Sequence, residues 1–308
     1  MGLCHSKGDN SENKNKLGII EGIRDIPEDY LIKESIKFPI DTKYKIQNCI
    51  IGQGSSGPIL LGEDESGKRF AIKSIEKASI LKDKFLLNEI KIALKVKHPN
   101  ILEMKEIYEN KKTISCVMEY CQMGDLLNFI KNNQEGKLDN LNTIDILVQI
   151  LDALNYLHNE VNICHRDLKP NNILIIRSPD NRLIVKIIDF GLAGSIFQKR
   201  KMKAKIGTLI YMAPEIIKNN SYDEKIDIWS TGMILYNMTT GCGPFVPGND
   251  ERIKYQILNK PIDFYKITNE DLRELCREML ERNSEKRINT RTALERAIMI
   301  KRKILNEE

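Results

Sequence analysis

The sequence predicts an α+β protein of two lobes, in which a small antiparallel sheet with one main helix precedes a larger, mainly helical lobe. Between residues 44 and 118 the chain carries alternating and β-branched apolar runs separated by turn residues, and such runs are typical of strands. From about residue 125 onward the apolar residues instead recur at helical spacing. Because the two patterns follow one another and do not alternate, we expect two packed units with a cleft between them.

The small lobe is predicted from five strand-like runs and one helix. The runs "YKIQNCIIG", "PILLGED" and "RFAIKSI" come first, and the turn "DESGKR" joins the second to the third as a hairpin. A helix over residues 82–96 follows, and the runs "HPNILEM" and "TISCVMEY" complete the set. Strands joined by short turns indicate a mostly antiparallel sheet.

The large lobe is predicted from two strongly patterned helices. Residues 143–158, "TIDILVQILDALNYLH", place apolar side chains at i, i+3 and i+4, which predicts a helix with one face in the core. Residues 227–240, "DIWSTGMILYNMTT", are apolar on nearly all sides. This second helix is therefore expected to be central and buried.

The composition is typical of a globular protein. Of 308 residues, 41% are hydrophobic and 30% are charged, and the net charge of +5 is small against 48 basic and 43 acidic residues. No apolar run reaches the roughly 18 residues of a membrane-spanning helix, and no secretory signal pattern is present. The seven cysteines are odd in number and form no CxxC pair, which argues against a disulfide framework and indicates a cytoplasmic setting. Because no nucleic-acid recognition motif occurs, we expect no nucleic-acid partner.

The first residues, "MGLCHSK", fit the pattern for N-myristoylation of Gly2, and Cys4 beside it is placed to take a palmitoyl chain. A single acyl chain gives only marginal membrane binding, so the two groups together predict association with a membrane surface. The pattern is short, and an N-terminus that merely begins with Met-Gly remains the alternative. Residues 1–16 are predicted to be a disordered leader that carries this signal, and residues 17–43 an N-terminal extension.

Two motifs of the small lobe suggest phosphate binding, although neither is specific by itself. "GQGSSGPI" places Gly52, Gly54 and Gly57 between two predicted strands, where glycine lets the backbone approach a phosphate. A glycine-rich hairpin loop without a ligand is the alternative. Lys73 in the third predicted strand is either a solvent-facing lysine or a cation held by a counter-charge, for which Glu89 in the predicted helix is the candidate.

The stretch "ICHRDLKPNNIL", residues 163–174, carries more polar side chains than a buried turn can easily satisfy. It contains Asp167, Lys169 and Asn172, and "IIDFGLA" later brings Asp189. The oxygens of Asn172 and Asp189 suit Mg²⁺, which prefers a few protein oxygens together with substrate phosphates. Asp167 is then left to accept a proton from an attacking hydroxyl, and Lys169 to neutralise charge on a transferred phosphoryl group.

Taken in order, these motifs resemble those of eukaryotic protein kinases. The resemblance rests on the glycine-rich loop, "AIK", the helix glutamate, "HRDLKPNN", "DFG" and "MAPE", and it covers about residues 44–300. Lys169 and the "GT" at residues 207–208 follow the serine/threonine pattern. The stretches "EYCQMGDL" and "FQKRKMKAKIGTLIYMAPE" are most similar to calcium-dependent protein kinases, in the calmodulin-kinase-like group.

The resemblance implies a bilobal protein-kinase fold and a catalytic set of four residues. Asp167 would be the catalytic base, supported by Lys169, Lys73 and Glu89. ATP and Mg²⁺ are the implied cofactors, and the hydroxyl of a protein substrate is the implied acceptor. The metal ligands would be Asn172 and Asp189. The residues expected to bind the nucleotide are Gly52, Gly54, Gly57, Ile59, Ala71, Lys73, Met118, Glu119, Cys121, Asp125, Asn172, Leu174 and Asp189.

The resemblance also assigns residues away from the phosphates. Backbone groups of Glu119 and Cys121 would face adenine behind the gatekeeper Met118, while Asp125 stands where the family contacts ribose. The further implied contacts are an ion pair of Glu215 with Arg287 and anchoring of the catalytic loop by Asp227.

The resemblance divides the chain into a small lobe (44–118), a hinge (119–124), a large lobe (125–300) and a C-terminal tail (301–308). No EF-hand loop of the DxDxDG type occurs, so we expect no direct calcium binding by this chain. We expect a monomer. A catalytically weak kinase-fold scaffold at a membrane surface is the alternative, and the presence of every catalytic residue disfavours it.

Two of the departures from the kinase pattern concern the main helix of the small lobe and the substrate. Ala93, one turn after Glu89, replaces the large apolar residue that usually packs this helix against the phenylalanine of DFG, here Phe190. The lost contact area is expected to ease the helix outward. Asn171 stands where kinases that prefer basic substrates often carry Glu, so strong specificity for arginine is not expected.

Overall fold

The structure, a computed structural model, describes residues 39–54, 57–196 and 207–307. The predictions for residues 1–38, among them acylation of Gly2 and Cys4, lie outside this part of the chain. None of the helices within it combines the length and the apolar character needed to cross a membrane.

A five-stranded antiparallel sheet forms the small lobe. Its strands are β1 (Lys45–Gly54), β2 (Gly57–Glu63), β3 (Arg69–Glu76), β4 (Met104–Glu109) and β5 (Thr113–Glu119). They stand in the order β1-β2-β3-β5-β4. Consecutive strands are therefore neighbours except between β3 and β4, where the chain leaves the sheet through a helical segment.

One carboxylate stabilises the hairpin turn between β2 and β3. Asp64 Oδ1 accepts hydrogen bonds from the backbone N–H groups of Ser66 and Lys68, at 2.9 and 3.0 Å. Gly67 follows with a φ of +80°, a left-handed conformation that glycine adopts without strain. The turn sets the register of the hairpin, in which Ile59 pairs with Lys73.

A separate short helix precedes the main helix of the small lobe. Helix α1 covers Lys77–Lys82, and α2 covers Lys84–Lys95. Between them Asp83 has an extended backbone, and its carboxylate accepts hydrogen bonds from two backbone N–H groups in the first turn of α2. Because Asp83 caps the helix and is not part of it, the main helix begins two residues later than the predicted 82–96.

Helices build most of the large lobe, and two of them form its centre. They are α3 (Leu126–Lys131), α4 (Asn140–Asn155), α5 (Pro214–Ile217), α6 (Lys225–Thr240), α7 (Asp250–Asn259), α8 (Glu270–Met279) and α9 (Thr290–Glu307). Every residue of α6 from Ile226 to Met238 is buried, as its all-round apolar sequence predicts. Helix α4 buries one apolar face and continues into a π-helical turn, Tyr156–Val161. The predicted α+β fold with a small sheet lobe and a helical lobe is confirmed.

Two short strand pairs hold the segment "ICHRDLKPNNIL". Strand β6 (Ile163–Cys164) pairs with β9 (Gly194–Ser195), and β7 (Ile173–Arg177) pairs with β8 (Leu183–Ile187), both antiparallel. The loop between β6 and β7 is therefore held at both ends. The sequence does not predict these strands, because they are short and lie between polar motifs.

Candidate active site

One buried carboxylate holds the loop between β6 and β7. Asp227 in α6 accepts hydrogen bonds from the backbone N–H groups of His165, at 2.7 Å, and Arg166, at 2.9 Å. His158 Nε2 lies 2.8 Å from the same carboxylate. Burial acts to raise the pKa of Asp227, but these hydrogen bonds and the neighbouring histidines outweigh burial and lower the pKa to about 2. The carboxylate is therefore charged at neutral pH.

Arg166 occupies space that two glycines leave open. It adopts a φ of +69°, and its side chain is buried. A Cβ atom at Gly194 in β9 would overlap the Arg166 guanidinium, and one at Gly207 would lie 2.6 Å from the Arg166 carbonyl oxygen. Both positions therefore require glycine for this conformation of the loop. Gly207 belongs to a recognised motif, whereas nothing in the sequence distinguishes Gly194.

The Asp167 carboxylate lies at the centre of a small hydrogen-bond network. Its Oδ1 accepts from the backbone N–H and from the hydroxyl of Thr208, both at 2.8 Å. Its Oδ2 accepts from Lys169 Nζ at 2.7 Å and from Asn172 Nδ2 at 3.3 Å. Lys169 Nζ also donates to the Thr208 hydroxyl at 2.9 Å. These contacts fix the orientation of the carboxylate and bring the predicted base and the predicted phosphate-binding lysine together.

Asn172 and Asp189 lie at the same end of the β7–β8 hairpin. Asn172 directly precedes β7, Asp189 follows soon after β8, and the Ile188 N–H donates to the Asn172 carbonyl oxygen at 2.9 Å. The Asn172 side chain donates to Asp167 through Nδ2, so its Oδ1 is the atom that a cation would use. Two hard oxygen donors at one hairpin end fit a divalent cation.

Lys73 in β3 and Glu89 in α2 form an ion pair, with 2.9 Å between Nζ and Oε1. Burial raises the pKa of Glu89 above its ordinary value, although the Lys73 charge acts in the opposite direction. A Cβ atom at Gly54 would lie 3.3 Å from Lys73 Cε, so the end of β1 passes directly over the lysine. Gly54 pairs with Gly57, whose φ of +134° favours glycine.

Several residues predicted to bind the nucleotide lie on neighbouring strands of the sheet. Gly52 in β1 pairs with Ile59 in β2, which in turn pairs with Lys73. Ala71 in β3 pairs with Met118 in β5. These five residues therefore lie on four neighbouring strands, β1, β2, β3 and β5, which are joined by three strand pairings.

The segment that joins the lobes is tied to β7 and β8. Glu119 at the end of β5 forms an ion pair with Lys186 in β8, with 2.8 Å between Oε2 and Nζ. Asp125 forms an isolated antiparallel bridge with Leu174 in β7. Burial raises the pKa of the Cys121 thiol to about 12, so this side chain is protonated at neutral pH. The predicted nucleotide-binding residues of the hinge and of β7 are thus held next to one another.

The Asp125 carboxylate is already engaged by side chains and backbone of the protein. Its Oδ1 caps α3 by accepting from the Asn128 N–H at 2.7 Å. Its Oδ2 lies 3.3 Å from Asn128 Nδ2 and 3.4 Å from Asn171 Nδ2. Two neutral amides therefore flank this carboxylate.

A buried ion pair outside the site joins α5 to the segment before α9. Arg287 donates from Nη1 and Nη2 to the two carboxylate oxygens of Glu215, at 2.7 and 2.9 Å. Its Nε donates to the Glu281 carbonyl oxygen at 2.8 Å, and its guanidinium carbon lies 5.2 Å from the centre of the Trp229 ring. Arg287 is only 1% exposed, so the pair belongs to the core of the large lobe.

Three residues make contacts at the site that the sequence motifs do not predict. In the sequence, Thr208 indicates only that the acceptor is a serine or threonine hydroxyl. In the structure it also donates two hydrogen bonds to Asp167. His158 binds the anchoring carboxylate, and only its place at the end of a predicted helix marks it. Asn88 donates hydrogen bonds to the backbone carbonyl groups that follow Asp189. No residue type in the sequence indicates this contact, because every residue carries a carbonyl group.

Known proteins match the chain along most of its length. The family model for the protein kinase domain matches residues 45–299. Calcium-dependent protein kinase 4 of Plasmodium berghei is 35% identical over 254 residues, which cover 80% of this chain and 47% of that protein. Myosin light chain kinase A of Dictyostelium discoideum is 36% identical over 251 residues, which cover 79% of this chain and 84% of that protein.

The chain belongs to the protein kinase family. Its relatives place it in the calmodulin-kinase-like group, beside calcium-dependent kinases and a myosin light chain kinase, which confirms the resemblance seen in the motifs. The family implies ATP and a divalent metal ion. The chain spans about half the length of the Plasmodium calcium-dependent relatives.

Proposed function

We propose that this chain is a serine/threonine protein kinase that transfers the γ-phosphoryl group of ATP to a hydroxyl group of a protein. The observation that carries the proposal is the Asp167 carboxylate, which Thr208 and Lys169 orient within a loop anchored by Asp227. The ion pair of Lys73 with Glu89 supports it, because this pair holds an ammonium group in place for the nucleotide phosphates.

Asp167 would act as the base for the acceptor hydroxyl. A carboxylate offers about four lone-pair directions, and Thr208, Lys169 and Asn172 fill them. Lys169 is the donor that a phosphoryl group can draw away, because its ammonium pairs strongly with anionic oxygens. When it does so, Oδ2 is free to take the hydroxyl proton. The acceptor oxygen bonds to the γ-phosphorus as the bond to the bridging oxygen of ADP breaks, and the proton remains on Asp167.

Asn172 and Asp189 would hold the metal ion, which we propose is Mg²⁺. A bound Mg²⁺ supplies positive charge to the nucleotide phosphates. Lys73 adds a second positive charge to the same phosphates, and Glu89 keeps its ammonium in position. The glycines at the ends of β1 and β2 let the backbone approach the phosphates, while Ile59, Ala71, Met118 and Leu174 would bound the adenine with the backbone of Glu119 and Cys121.

The proposal is tested by transfer of labelled γ-phosphate from Mg-ATP to a serine-containing basic peptide, in calcium and in a calcium chelator. We expect equal transfer in both conditions, loss of transfer in Asp189→Ala, and phosphoserine but no phosphotyrosine in the product. Lack of transfer by the intact chain would contradict the proposal and favour the kinase-fold scaffold.

We also propose that the chain works as a monomer, without nucleic acid or directly bound calcium, and at the cytoplasmic face of a membrane. The pattern around Gly2 and Cys4 supports the membrane proposal. Incorporation of labelled myristate into the wild type but not into Gly2→Ala is the expected result, and an unlabelled wild type would contradict it.

Asn171 is expected to weaken selection for basic residues in the substrate. Its amide lies beside the Asp125 carboxylate, whereas a glutamate at this position would add a second negative charge. We expect Asn171→Glu to raise the ratio of kcat/KM for an arginine-containing peptide over its alanine counterpart by about tenfold, the effect of one charge-assisted hydrogen bond. Asn171→Gln keeps an amide and serves as the control. A ratio unchanged in the glutamate variant would show that position 171 does not face the substrate.

A further inference from the structure

Helix α2 contacts residues 190–193 through one side-chain amide. Asn88, half-buried in α2, places Nδ2 3.2 Å from the carbonyl oxygen of Phe190, 3.4 Å from that of Gly191 and 3.1 Å from that of Ala193. The carbonyl groups converge because the chain turns here, and the Ala193 N–H donates to the Phe190 carbonyl oxygen at 3.1 Å.

The chemistry of these partners fixes the orientation of the amide. A carbonyl oxygen accepts hydrogen bonds and cannot donate them, so only the NH₂ group of Asn88 can face three of them. An aspartate at this position would place a negative charge against the same oxygens. A leucine would have almost the same shape and no donor. The contact therefore depends on the asparagine amide and not on the size of the side chain.

Each end of this contact lies beside a predicted residue of the site. Glu89 follows Asn88 in α2 and pairs with Lys73 at 2.9 Å, and Asp189 directly precedes the turn that the amide binds. We infer that Asn88 is a positioning residue, whose amide couples the Lys73–Glu89 ion pair to the metal ligand Asp189, so that the two are set in place together. The inference rests on the proposed kinase function.

Apolar packing between α2 and this turn is limited. Ala93, one turn after Glu89, presents only a methyl group, and Ile92 is the residue of α2 that shares the buried cluster of Phe190 and Ala193. The sequence therefore predicts that α2 is displaced away from this turn. In the structure, however, Glu89 of α2 pairs with Lys73. The amide contact of Asn88 accounts for this position of the helix, since it replaces part of the apolar contact that Ala93 lacks.

The first test compares the kcat of Asn88→Leu and Asn88→Asp with that of the wild type. We expect the leucine variant to lower kcat about three- to tenfold, the range for lost hydrogen bonds to backbone carbonyl groups, and the aspartate variant to lower it further. Lys95→Ala is the matched control, because Lys95 is exposed in the last turn of the same helix. We expect it to match the wild type.

A binding measurement separates positioning from general loss of structure. Calorimetry gives the affinity for ADP with and without Mg²⁺, and neither value requires catalysis. We expect Asn88→Leu to leave the affinity for ADP in the absence of Mg²⁺ close to the wild-type value. The factor by which Mg²⁺ raises the affinity for ADP is expected to be about three- to tenfold smaller in the variant than in the wild type. A gain equal to that of the wild type would overturn the inference.

A double variant shows whether Asn88 acts through Glu89. If it does, Asn88→Leu combined with Glu89→Gln loses about as much activity as Glu89→Gln alone, whereas independent effects multiply. Multiplied effects would overturn the inference. A wild type that transfers no phosphate would contradict the kinase proposal instead, and the Mg²⁺-dependent gain in ADP affinity would still decide the role of Asn88.

Discussion

Replacement of Asp167 by asparagine is expected to lower kcat by about a hundred- to ten-thousand-fold, the contribution typical of a general base, while KM for ATP changes little. An amide cannot take the proton of the acceptor hydroxyl. The asparagine can keep the hydrogen bonds from Thr208 through its oxygen, but its NH₂ group would face the Lys169 ammonium, which now donates to Asp167 at 2.7 Å. The variant therefore loses both the base and the orientation of the lysine. Steady-state transfer to a serine peptide measures the effect.

Asp180→Asn is the matched control for this prediction. The Asp180 side chain is 55% exposed in the turn between β7 and β8, where it pairs with Arg182. The same chemical change there is expected to leave kcat unaltered, because the carboxylate touches no predicted site residue. If Asp167→Asn retained the wild-type kcat, Asp167 would not be the base.

Arg287→Met is expected to lower the free energy of unfolding by about 3–5 kcal/mol, the cost of removing one partner of a buried ion pair. The change leaves the Glu215 carboxylate, with 7% exposure, without its two guanidinium donors. It also removes the donor to the Glu281 carbonyl oxygen. Urea unfolding followed by far-ultraviolet circular dichroism measures the effect, since fluorescence of Trp229 would change directly when the guanidinium beside it is lost.

Two further variants test the reason for this loss. Arg182→Met removes a guanidinium that is 75% exposed, and we expect a change within about 0.5 kcal/mol. Adding Glu215→Met to Arg287→Met removes the stranded charge and is expected to restore much of the stability, because apolar pairs often replace buried ion pairs without loss. A double variant less stable than Arg287→Met would mean that packing, and not the buried charge, causes the effect.

Much of the candidate site could be predicted because its residues belong to motifs with characteristic spacing. The strand lysine and the helix glutamate were matched from their places in the motif order, and the structure pairs them at 2.9 Å. The contact of Asp227 with the loop and the pair of Glu215 with Arg287 were implied by the resemblance to kinases. In the two ion pairs both partners are charged side chains that the sequence shows. Asp227 is a recognisable motif residue, although its partners in the loop are backbone N–H groups.

Other contacts made by the backbone could not be predicted in this way. The partners of Asn88 are carbonyl groups, which every residue carries, so no residue type at 190–193 announces the contact. The requirement for glycine at 194 arises only because the Arg166 side chain, from the loop between β6 and β7, occupies the space beside it. The predicted start of α2 is two residues too early, because Asp83 caps the helix with its carboxylate and is not part of it.

The anchoring carboxylate in α6 also decides how fast the loop between β6 and β7 can exchange its amide hydrogens with water. Loops without regular structure usually exchange quickly, because small local openings expose their N–H groups. The N–H groups of His165 and Arg166 instead point to Asp227, a side chain with 0% exposure. They can exchange only when the centre of the large lobe opens. These two amides are therefore expected to be protected like those of a core helix, although the backbone around them is irregular.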